Sequence, residues 1–434
     1  MSGDARVQAA RVLNAVIGGR EPLDLALPVA DARLPDSRDR ALLRAIVRAA
    51  LRHRFRYAAA LMTLLNKPLP REQGLVYELL MVGLAQLDQG ITPSYAAVDA
   101  TVAAARILKR PQFAGLINAV LRRAPLALAE FAHSDDAQIR FEHPRWLLER
   151  LQRDWPEHWP EIVAANNAMA PTWLRVHTPR ARREQLQGWL AAHDFATTVY
   201  PPLEDALVLA ESAPILSLPG YAEGAFAVQD GAAQYAVDVL DARPGHRVLD
   251  ACAAPGGKTA HIAARTQGIG LLALEVNPAR IPRLNANLAR MGVVCDVRCA
   301  DAAAPETWWD GRRFDRILVD APCSGTGVMR RHPDIRWLRR PQDVIAAIEL
   351  QSRLLDALWP LLAPGGRLVY ATCSVLSDEN AHQLAAFLSR TPNARARDAV
   401  PHAFGIESGA GRQNLPGREG MDGFFYAALE HAGA

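Results

Sequence analysis

The chain has 434 residues, half of them hydrophobic and 22% charged, with a formal net charge of +3 at pH 7. This composition is typical of a globular protein with two or three domains, and no apolar run approaches the ~20 residues that span a bilayer. The chain has five cysteines, a small and odd number, which does not favour a disulfide framework. Its first segment lacks signal-peptide features, so we expect a protein of the reducing cytoplasm with no membrane partner.

Positive charge is concentrated at the N-terminus. Residues 1–130 hold 18 Lys and Arg against 11 Asp and Glu, so they carry +7 and the remainder carries −4. Helical i, i+3, i+4 spacing runs from residue 4 to about 126, with Ser37 as one candidate N-cap. We therefore predict an all-α domain over 1–130 that binds a polyanion, with an arginine-rich surface without a partner as the alternative.

A second region, predicted over 135–220, begins with a Trp-rich helical stretch. A strand candidate, "TWLRVHT", a helix, "RREQLQGWLAAH", and a Pro- and Gly-rich stretch follow it. These elements predict a small α+β module, which either helps to hold an RNA strand or serves as a spacer.

From residue 221 to 434 the pattern becomes strand, loop and helix in repetition. The strands are predicted as nearly continuous apolar runs at 246–252, 269–276, 293–299, 314–321 and 366–373, and "GFFYAALE" is one further strand. Such runs separated by amphipathic stretches predict a doubly wound, Rossmann-like α/β domain.

The turn after the first of these strands, "CAAPGGKT", is the predicted cofactor loop. It departs from the phosphate-binding G-x-x-x-x-G-K-[ST] pattern at its first position, where Cys252 stands. The loss of that glycine counts against an ATPase, although this alternative stays open. Small residues allow a ligand to approach the backbone closely, and the predicted loop residues are Cys252, Ala253, Ala254, Pro255, Gly256, Gly257 and Lys258.

Acidic residues end the next three strands. Glu275 is placed to accept hydrogen bonds from two ribose hydroxyls, Asp301 to meet an adenine amino group, and Asp320 to line the same edge of the sheet. A nucleoside-bearing ligand without a phosphate fits this pattern, and we predict S-adenosyl-L-methionine.

The motifs "DACAAPGGKT", "DAPCSGTG" and "YATCS" resemble, in order and spacing, those of the Fmu/Sun family of RNA 5-methylcytosine methyltransferases. "GAFAVQDGAAQ" and "DGFFYAAL" also match that family, and "YELLMVGLAQLD" and "AGLINAVLRRA" resemble NusB-type RNA-binding domains. One departure is Glu275, where many relatives have Asp. The resemblance implies a monomeric enzyme that methylates carbon 5 of a cytosine in 16S ribosomal RNA.

The resemblance also implies roles for two cysteines. Cys373, in "TCS", would attack carbon 6 of cytosine, because a thiolate is a strong nucleophile and a good leaving group. Cys323, in "PCS", would help to resolve the covalent adduct. DNA cytosine methyltransferases attack with the Pro-Cys cysteine, so the reverse assignment stays open. We expect Cys252, Cys295 and Cys299 to be small buried hydrophobic residues.

Two charged residues complete the predicted catalytic set. Asp320 would hydrogen-bond to ring nitrogen 3 and assist the addition as an acid. Lys258 would stabilise the target nucleotide or the thiolate, or would be an ordinary residue of a helix N-terminus. No cysteine or histidine cluster has metal-site spacing, and no metal is predicted.

The stretch "VMRRHPDIRWLRR" places basic residues around His332 and Trp337, which predicts phosphate contact and base stacking with RNA. Its basic residues are Arg330, Arg331, Arg336, Arg339 and Arg340. Another RNA substrate, such as tRNA, and a non-catalytic RNA-binding assembly factor are the alternatives for the whole chain.

Overall fold

A computed structural model describes residues 4–432. Contacts between Cα atoms divide the chain into two compact units. The first contains residues up to 168 together with Met329–Arg340, and the second contains Met169–Val328 and Pro341–Ala434.

The first unit is helical, as the sequence predicts. Its apolar faces pack into one core that includes Leu13, Ile46 and Leu80, each with no exposed surface. Asp36, rather than Ser37, caps the third helix, because its carboxylate accepts a hydrogen bond from the Arg38 backbone N–H at 2.8 Å. The helices in this part of the chain are α1 Ala5–Ile17, α2 Leu23–Asp31, α3 Ser37–Arg52, α4 Arg54–Leu64, α5 Gly74–Asp88, α6 Ser94–Ile107, α7 Ala114–Glu130, α8 Ala137–Phe141, α9 Arg145–Asp154 and α10 Trp159–Asn167.

The second unit begins with a four-stranded antiparallel sheet. Its strands are β1 Thr172–Val176, β2 Thr197–Val199, β3 Ala206–Leu209 and β4 Phe226–Val228, in the order β2-β3-β1-β4. Helix α11, Arg183–Ala191, supplies Leu186 and Leu190 to the core beneath this sheet. The sheet and α11 of the predicted α+β module are therefore present, whereas the Trp-rich helices predicted to begin it lie in the first unit.

The larger sheet of the second unit carries the strands predicted for the α/β domain. Its parallel part has the order β9-β8-β5-β6-β7, and β13 pairs antiparallel with β9 at one side of it. The strands are β5 Arg247–Asp250, β6 Gly270–Glu275, β7 Asp296–Cys299, β8 Phe314–Asp320, β9 Leu362–Thr372, β10 Ala394–Arg397, β11 Ile406–Ser408, β12 Gly411–Asn414 and β13 Phe424–His431. Strand β7 is shorter than predicted, because pairing with β6 begins only at Asp296.

Helices separate the parallel strands and cover the sheet with apolar side chains. Leu249 on β5 and Ile317 on β8 are fully buried in one core cluster, and Val248 and Leu318 are fully buried in another. This alternation shows that both faces of the sheet are covered, which explains the continuous apolar runs in the sequence. The helices are α12 Gly231–Leu240, α13 Gly257–Arg265, α14 Ile281–Met291, α16 Pro341–Leu358 and α17 Ala381–Arg390, and α15 Ile335–Leu338 belongs to the first unit.

No helix within residues 4–432 is long and apolar enough to cross a membrane.

Candidate active site

The predicted cofactor loop joins β5 to α13. Its turn is closed by a hydrogen bond from the Gly256 N–H to the Ala253 carbonyl at 2.7 Å. Gly256 has φ +96°, and a Cβ there would lie 2.7 Å from Leu284 Cδ1, so this position requires glycine. The loop therefore turns sharply into α13, whose second residue is Lys258.

A cavity with an empty volume of about 410 Å³ lies beside this loop. Three of the predicted cofactor residues, Cys252, Glu275 and Asp301, line it. Apolar groups complete the walls, namely Ala251, Val276, Ala300, Ala302, Pro322, Leu350 and Leu354, and Arg280 lies at the same cavity. The structure thus brings together the residues predicted to bind ribose and adenine.

The side chains around the cavity are rich in negative charge. Glu275, only 3% exposed, accepts hydrogen bonds from the Asn277 backbone N–H at 2.8 Å and from Arg280 Nη1 at 3.1 Å. Burial raises the pKa of the Cys252 thiol, and the nearby Asp320, Asp250 and Glu275 carboxylates raise it further. A site with this charge favours a cationic ligand, and S-adenosylmethionine carries a sulfonium and an ammonium group.

Asp250, the last residue of β5, is fully buried next to the loop. Its Oδ2 accepts a hydrogen bond from Thr259 Oγ1 at 2.7 Å, whereas its Oδ1 has no protein partner. Burial raises the pKa of this carboxyl to about 6 against the opposing effect of the Thr259 hydrogen bond. A buried polar atom without a partner costs free energy, so a ligand that donates to Oδ1 would fit here.

Lys258 and Asp320 meet at the carboxyl end of the sheet. Lys258 Nζ lies 2.6 Å from Asp320 Oδ2, and the two side chains are 11% and 28% exposed. The ammonium also lies 5.0 Å from the centre of the Phe424 ring, where the electron-rich face of the aromatic ring attracts it. The lysine is therefore a paired, partly buried cation, not a solvated residue of a helix N-terminus.

The two predicted catalytic cysteines lie side by side, although 50 residues separate them in sequence. Cys323 follows β8 and Cys373 follows β9, and the two strands are parallel neighbours whose pairing ends at Asp320 and Ala371. Their Sγ atoms are 3.3 Å apart, which is hydrogen-bond distance for two sulfur atoms. The hydrogen bond to Cys373 and burial together raise the pKa of the Cys323 thiol well above its usual value.

Several polar residues around these cysteines escaped the sequence prediction. Glu379 and Asn380 are buried beneath the two cysteine loops and are hydrogen-bonded to Ser324, which follows Cys323, and to Thr372 and Ser374, which flank Cys373. The only signal was the acidic "SDEN" shortly after "TCS". Acidic residues are common in loops, so that signal did not indicate a buried network.

Expectations about three other residues are wrong. Arg330, predicted to contact RNA, is 4% exposed and lies in the helical unit. Arg336, predicted to contact RNA, is 2% exposed and lies within the helical unit, where its guanidinium donates hydrogen bonds to backbone carbonyls. Cys299, expected to be buried, is exposed because β7 is the last strand on its side of the sheet. Among residues 4–432, no group of three His, Cys, Asp or Glu side chains is arranged to hold a metal ion.

Comparisons with known proteins match every part of this architecture. Residues 237–430 match the family described as 16S rRNA methyltransferase RsmB/F, residues 143–216 match its ferredoxin-like domain, and residues 3–125 match the NusB family. A curated relative from Vibrio cholerae, named ribosomal RNA small subunit methyltransferase B, is 46% identical over 98% of this chain and 97% of its own length. The chain belongs to the RsmB/F methyltransferase family.

Two further comparisons agree with this membership. The relative of the same name from Pseudomonas syringae is 44% identical over 98% of this chain and 96% of its own length. The crystal structure of a methyltransferase homologue from Pyrococcus horikoshii is 27% identical, covers 68% of this chain and 98% of its own, and superposes with a TM-score of 0.59. The predicted multidomain fold, with a NusB-like all-α domain before a methyltransferase domain, is confirmed.

Members of the RsmB/F family are S-adenosylmethionine-dependent methyltransferases, and this chain is an enzyme of that kind. The residues at the cavity fit the cofactor. Glu275 and Asp301 would bind its ribose and adenine, and the acidic surroundings would favour its positive charge.

Proposed function

We propose that this protein transfers a methyl group to carbon 5 of a cytosine in 16S ribosomal RNA, by way of a covalent bond between Cys373 and carbon 6. The curated relatives, which cover nearly the whole chain, are named as methyltransferases of small-subunit ribosomal RNA. The observation that carries the chemical part of the proposal is the approach of two thiols to 3.3 Å at the edge of the sheet.

The two cysteines stand in different motifs, "PCS" and "TCS", and the resemblance of these motifs supports unequal roles. Cys323 Sγ lies 3.3 Å from Cys373 Sγ, so a protonated Cys323 can donate a hydrogen bond to the sulfur of Cys373. The attacking thiolate is then Cys373, stabilised by one hydrogen bond. After the adduct has formed, the Cys323 thiol lies beside the bond that must break, and it can donate a hydrogen bond to the Cys373 sulfur as that thiolate is expelled.

The covalent route follows from the electronics of the base. Carbon 5 of cytosine is a poor nucleophile until a thiolate adds to carbon 6 and converts the ring to an enamine. S-adenosylmethionine supplies an electrophilic methyl group. The carbon 5 proton then leaves to a base, its electron pair restores the ring double bond, and the thiolate of Cys373 is expelled.

Asp320 and Lys258 are proposed to stabilise the negative charge that develops on the opposite side of the ring. Negative charge develops at ring nitrogen 3 as the thiolate adds, and a proton donated there stabilises it. Lys258 Nζ is at hydrogen-bond distance from Asp320. The pair can therefore deliver a proton to nitrogen 3 without leaving an isolated charge in a partly buried site.

The test compares Cys373→Ala with Cys323→Ala, each mixed with unmodified small-subunit ribosomal RNA and S-adenosylmethionine. We expect only Cys323→Ala to accumulate a protein–RNA adduct on denaturing gels, with 5-methylcytosine in the trapped RNA by mass spectrometry. Cys299→Ala is the matched control, because that cysteine is exposed on β7, and it should behave as wild type. An adduct that accumulates in Cys373→Ala would reverse the two roles, and methylation of tRNA instead would change the substrate.

A further inference from the structure

Two adjacent buried residues, Glu379 and Asn380, lie in the turn between β9 and α17. Their relative exposures are 0% and 1%. We propose that they are positioning residues, which lock the loops of Cys323 and Cys373 together and thereby set the approach of the two thiols. This inference rests on the proposed function for its catalytic consequence, but not for its geometry.

Glu379 fixes the loop of Cys323 from both sides. Its Oε1 accepts a hydrogen bond from the Ser324 backbone N–H at 2.8 Å, and its Oε2 accepts one from Ser324 Oγ at 2.5 Å. Gln351 Nε2 donates to Glu379 Oε1 at 3.1 Å and to the Pro322 carbonyl at 3.0 Å. The residues before and after Cys323 are therefore both tied to the same carboxylate, one directly and the other through an amide.

Asn380 holds the loop of Cys373 in a corresponding way. Thr372 Oγ1 donates to Asn380 Oδ1 at 2.6 Å, and Asn380 Nδ2 donates to the Ser374 carbonyl at 3.0 Å. The residues on both sides of Cys373 are thus bound to one amide side chain. Gln413 Nε2 also donates to the Ser374 carbonyl, at 3.2 Å.

Ser374 connects the two halves of this network. Its hydroxyl donates to Glu379 Oε2 at 2.5 Å, so the carboxylate that holds the Cys323 loop also holds the residue after Cys373. A backbone hydrogen bond from the Gly327 N–H to the Cys373 carbonyl, at 2.9 Å, reinforces the connection. A Cβ on Gly327 would overlap the Gly423 carbonyl, so the backbones can approach this closely only with glycine there.

The energetics indicate a role beyond ordinary core packing. A buried carboxylate is costly unless hydrogen-bond donors surround it, and a buried carboxylate whose oxygens are satisfied by several donors favours one geometry. Glu379 accepts four hydrogen bonds, three of them from the two serines that follow the cysteines. Reacting groups displaced by about 1 Å can lose ~100-fold in rate, so such a lock would have catalytic value.

The first measurement uses no RNA. Phenylarsine oxide condenses with two neighbouring thiols, forming two S–As bonds and releasing one water that takes the arsenic oxygen and both thiol protons. We expect wild type to bind it in a 1:1 complex that Cys373→Ser cannot form. Glu379→Gln, which keeps the side-chain shape but removes an acceptor, should bind it ~10-fold more weakly, as should Ser374→Ala.

The second measurement is methylation under single-turnover conditions. Glu379→Gln and Ser374→Ala should lower the rate constant ~10- to 100-fold, with the KM for S-adenosylmethionine within about two-fold of wild type. Ser389→Ala, which removes an exposed hydroxyl from α17, is the control and should change neither readout. Both serines act through one carboxylate. The double variant Ser324→Ala/Ser374→Ala should therefore lower the rate constant by a smaller factor than the product of the two single-variant factors.

The outcomes separate the two proposals. If Glu379→Gln is folded and keeps both the arsenical affinity and the rate, the positioning role is overturned. If that variant unfolds, the two serine variants decide, and unchanged values in both would also overturn it. If the arsenical results are as expected but wild type methylates no cytosine, the positioning geometry stands and the proposed function falls.

Discussion

Lys258 and Arg336 are both basic residues predicted to serve RNA, but they have opposite surroundings. Lys258 faces one carboxylate, Asp320, at 2.6 Å and keeps part of its side chain in solvent. The guanidinium of Arg336 is buried among neutral acceptors, with Nη1 donating to the Arg52 carbonyl at 3.0 Å and the Glu142 carbonyl at 2.6 Å. Several neutral acceptors bound to a buried guanidinium hold a fold together, whereas a single carboxylate leaves the cation available for chemistry.

The largest effect that would test this comparison is the loss of Lys258. We expect Lys258→Met to lower the single-turnover methylation rate ~10³-fold, because Asp320 loses its proton source and its counter-charge together. The free energy of unfolding should change by less than about 1 kcal/mol, since the partner carboxylate of Asp320 keeps 28% of its side chain exposed and can be solvated without the lysine. Lys67→Met, at an exposed lysine of the helical unit, is the matched control and should leave the rate unchanged when the RNA is saturating. A rate within about ten-fold of wild type would show that Lys258 is not part of the catalytic set.

Arg336→Met should produce the reverse pattern. It leaves buried carbonyls without a donor, and we expect the free energy of unfolding of the helical unit to fall by about 3 kcal/mol. The methylation rate per folded molecule should stay within about two-fold of wild type when the RNA is saturating. Chemical denaturation and single-turnover kinetics measure the two quantities. The control is Arg122→Met, at an exposed arginine with a hydrogen bond to Asn118, which should leave the free energy of unfolding nearly unchanged. If Arg336→Met is instead stable and binds RNA weakly, Arg336 contacts RNA and its structural role is wrong.

A third, smaller effect concerns pH and Asp250, whose carboxyl lies near the Lys258–Asp320 pair. Its pKa is raised to about 6 by burial, so the folded protein holds this proton at a pH where the unfolded chain has released it. The stabilisation is therefore full below the unfolded pKa and is lost as pH rises through the folded pKa. Between about pH 5 and pH 7.5, the free energy of unfolding of wild type should fall by about 1.4 kcal/mol relative to Asp250→Asn. Parallel pH profiles for the two proteins would show that Asp250 is ionised throughout.

The sequence was a sufficient guide to the parallel sheet and to the side chains at its edge. Apolar runs that end in acidic residues predicted the bounds of β6 and β8 to within two residues. The carboxyl ends of parallel strands lie at one edge of the sheet. Cys323 and Cys373 therefore had to lie near each other once β8 and β9 were neighbours.

The surroundings of Glu379 and Arg336 could not be predicted, because they depend on contacts between residues that are distant in sequence. The hydrogen bonds of Glu379 reach back 55 residues to Ser324, and those of Arg336 reach back 284 residues to Arg52. Neither pairing has a local periodicity. An arginine among aromatic residues has the same sequence signature whether it binds phosphate or fills a cavity between helices, so the RNA-contact prediction for Arg336 was wrong.

The path of the chain through residues 329–340 limits how this protein can be divided. Trp337 Nε1 donates to the Leu51 carbonyl at 2.8 Å, its ring centre lies 4.4 Å from that of Phe55, and Leu338 belongs to the core of the helical unit. A fragment that ends at residue 168 would lack these side chains, and a fragment that begins at 169 would expose them to water. Neither half is a self-contained domain, so replacing the helical unit at a single crossover near residue 168 would leave residues 329–340 without the side chains against which they pack.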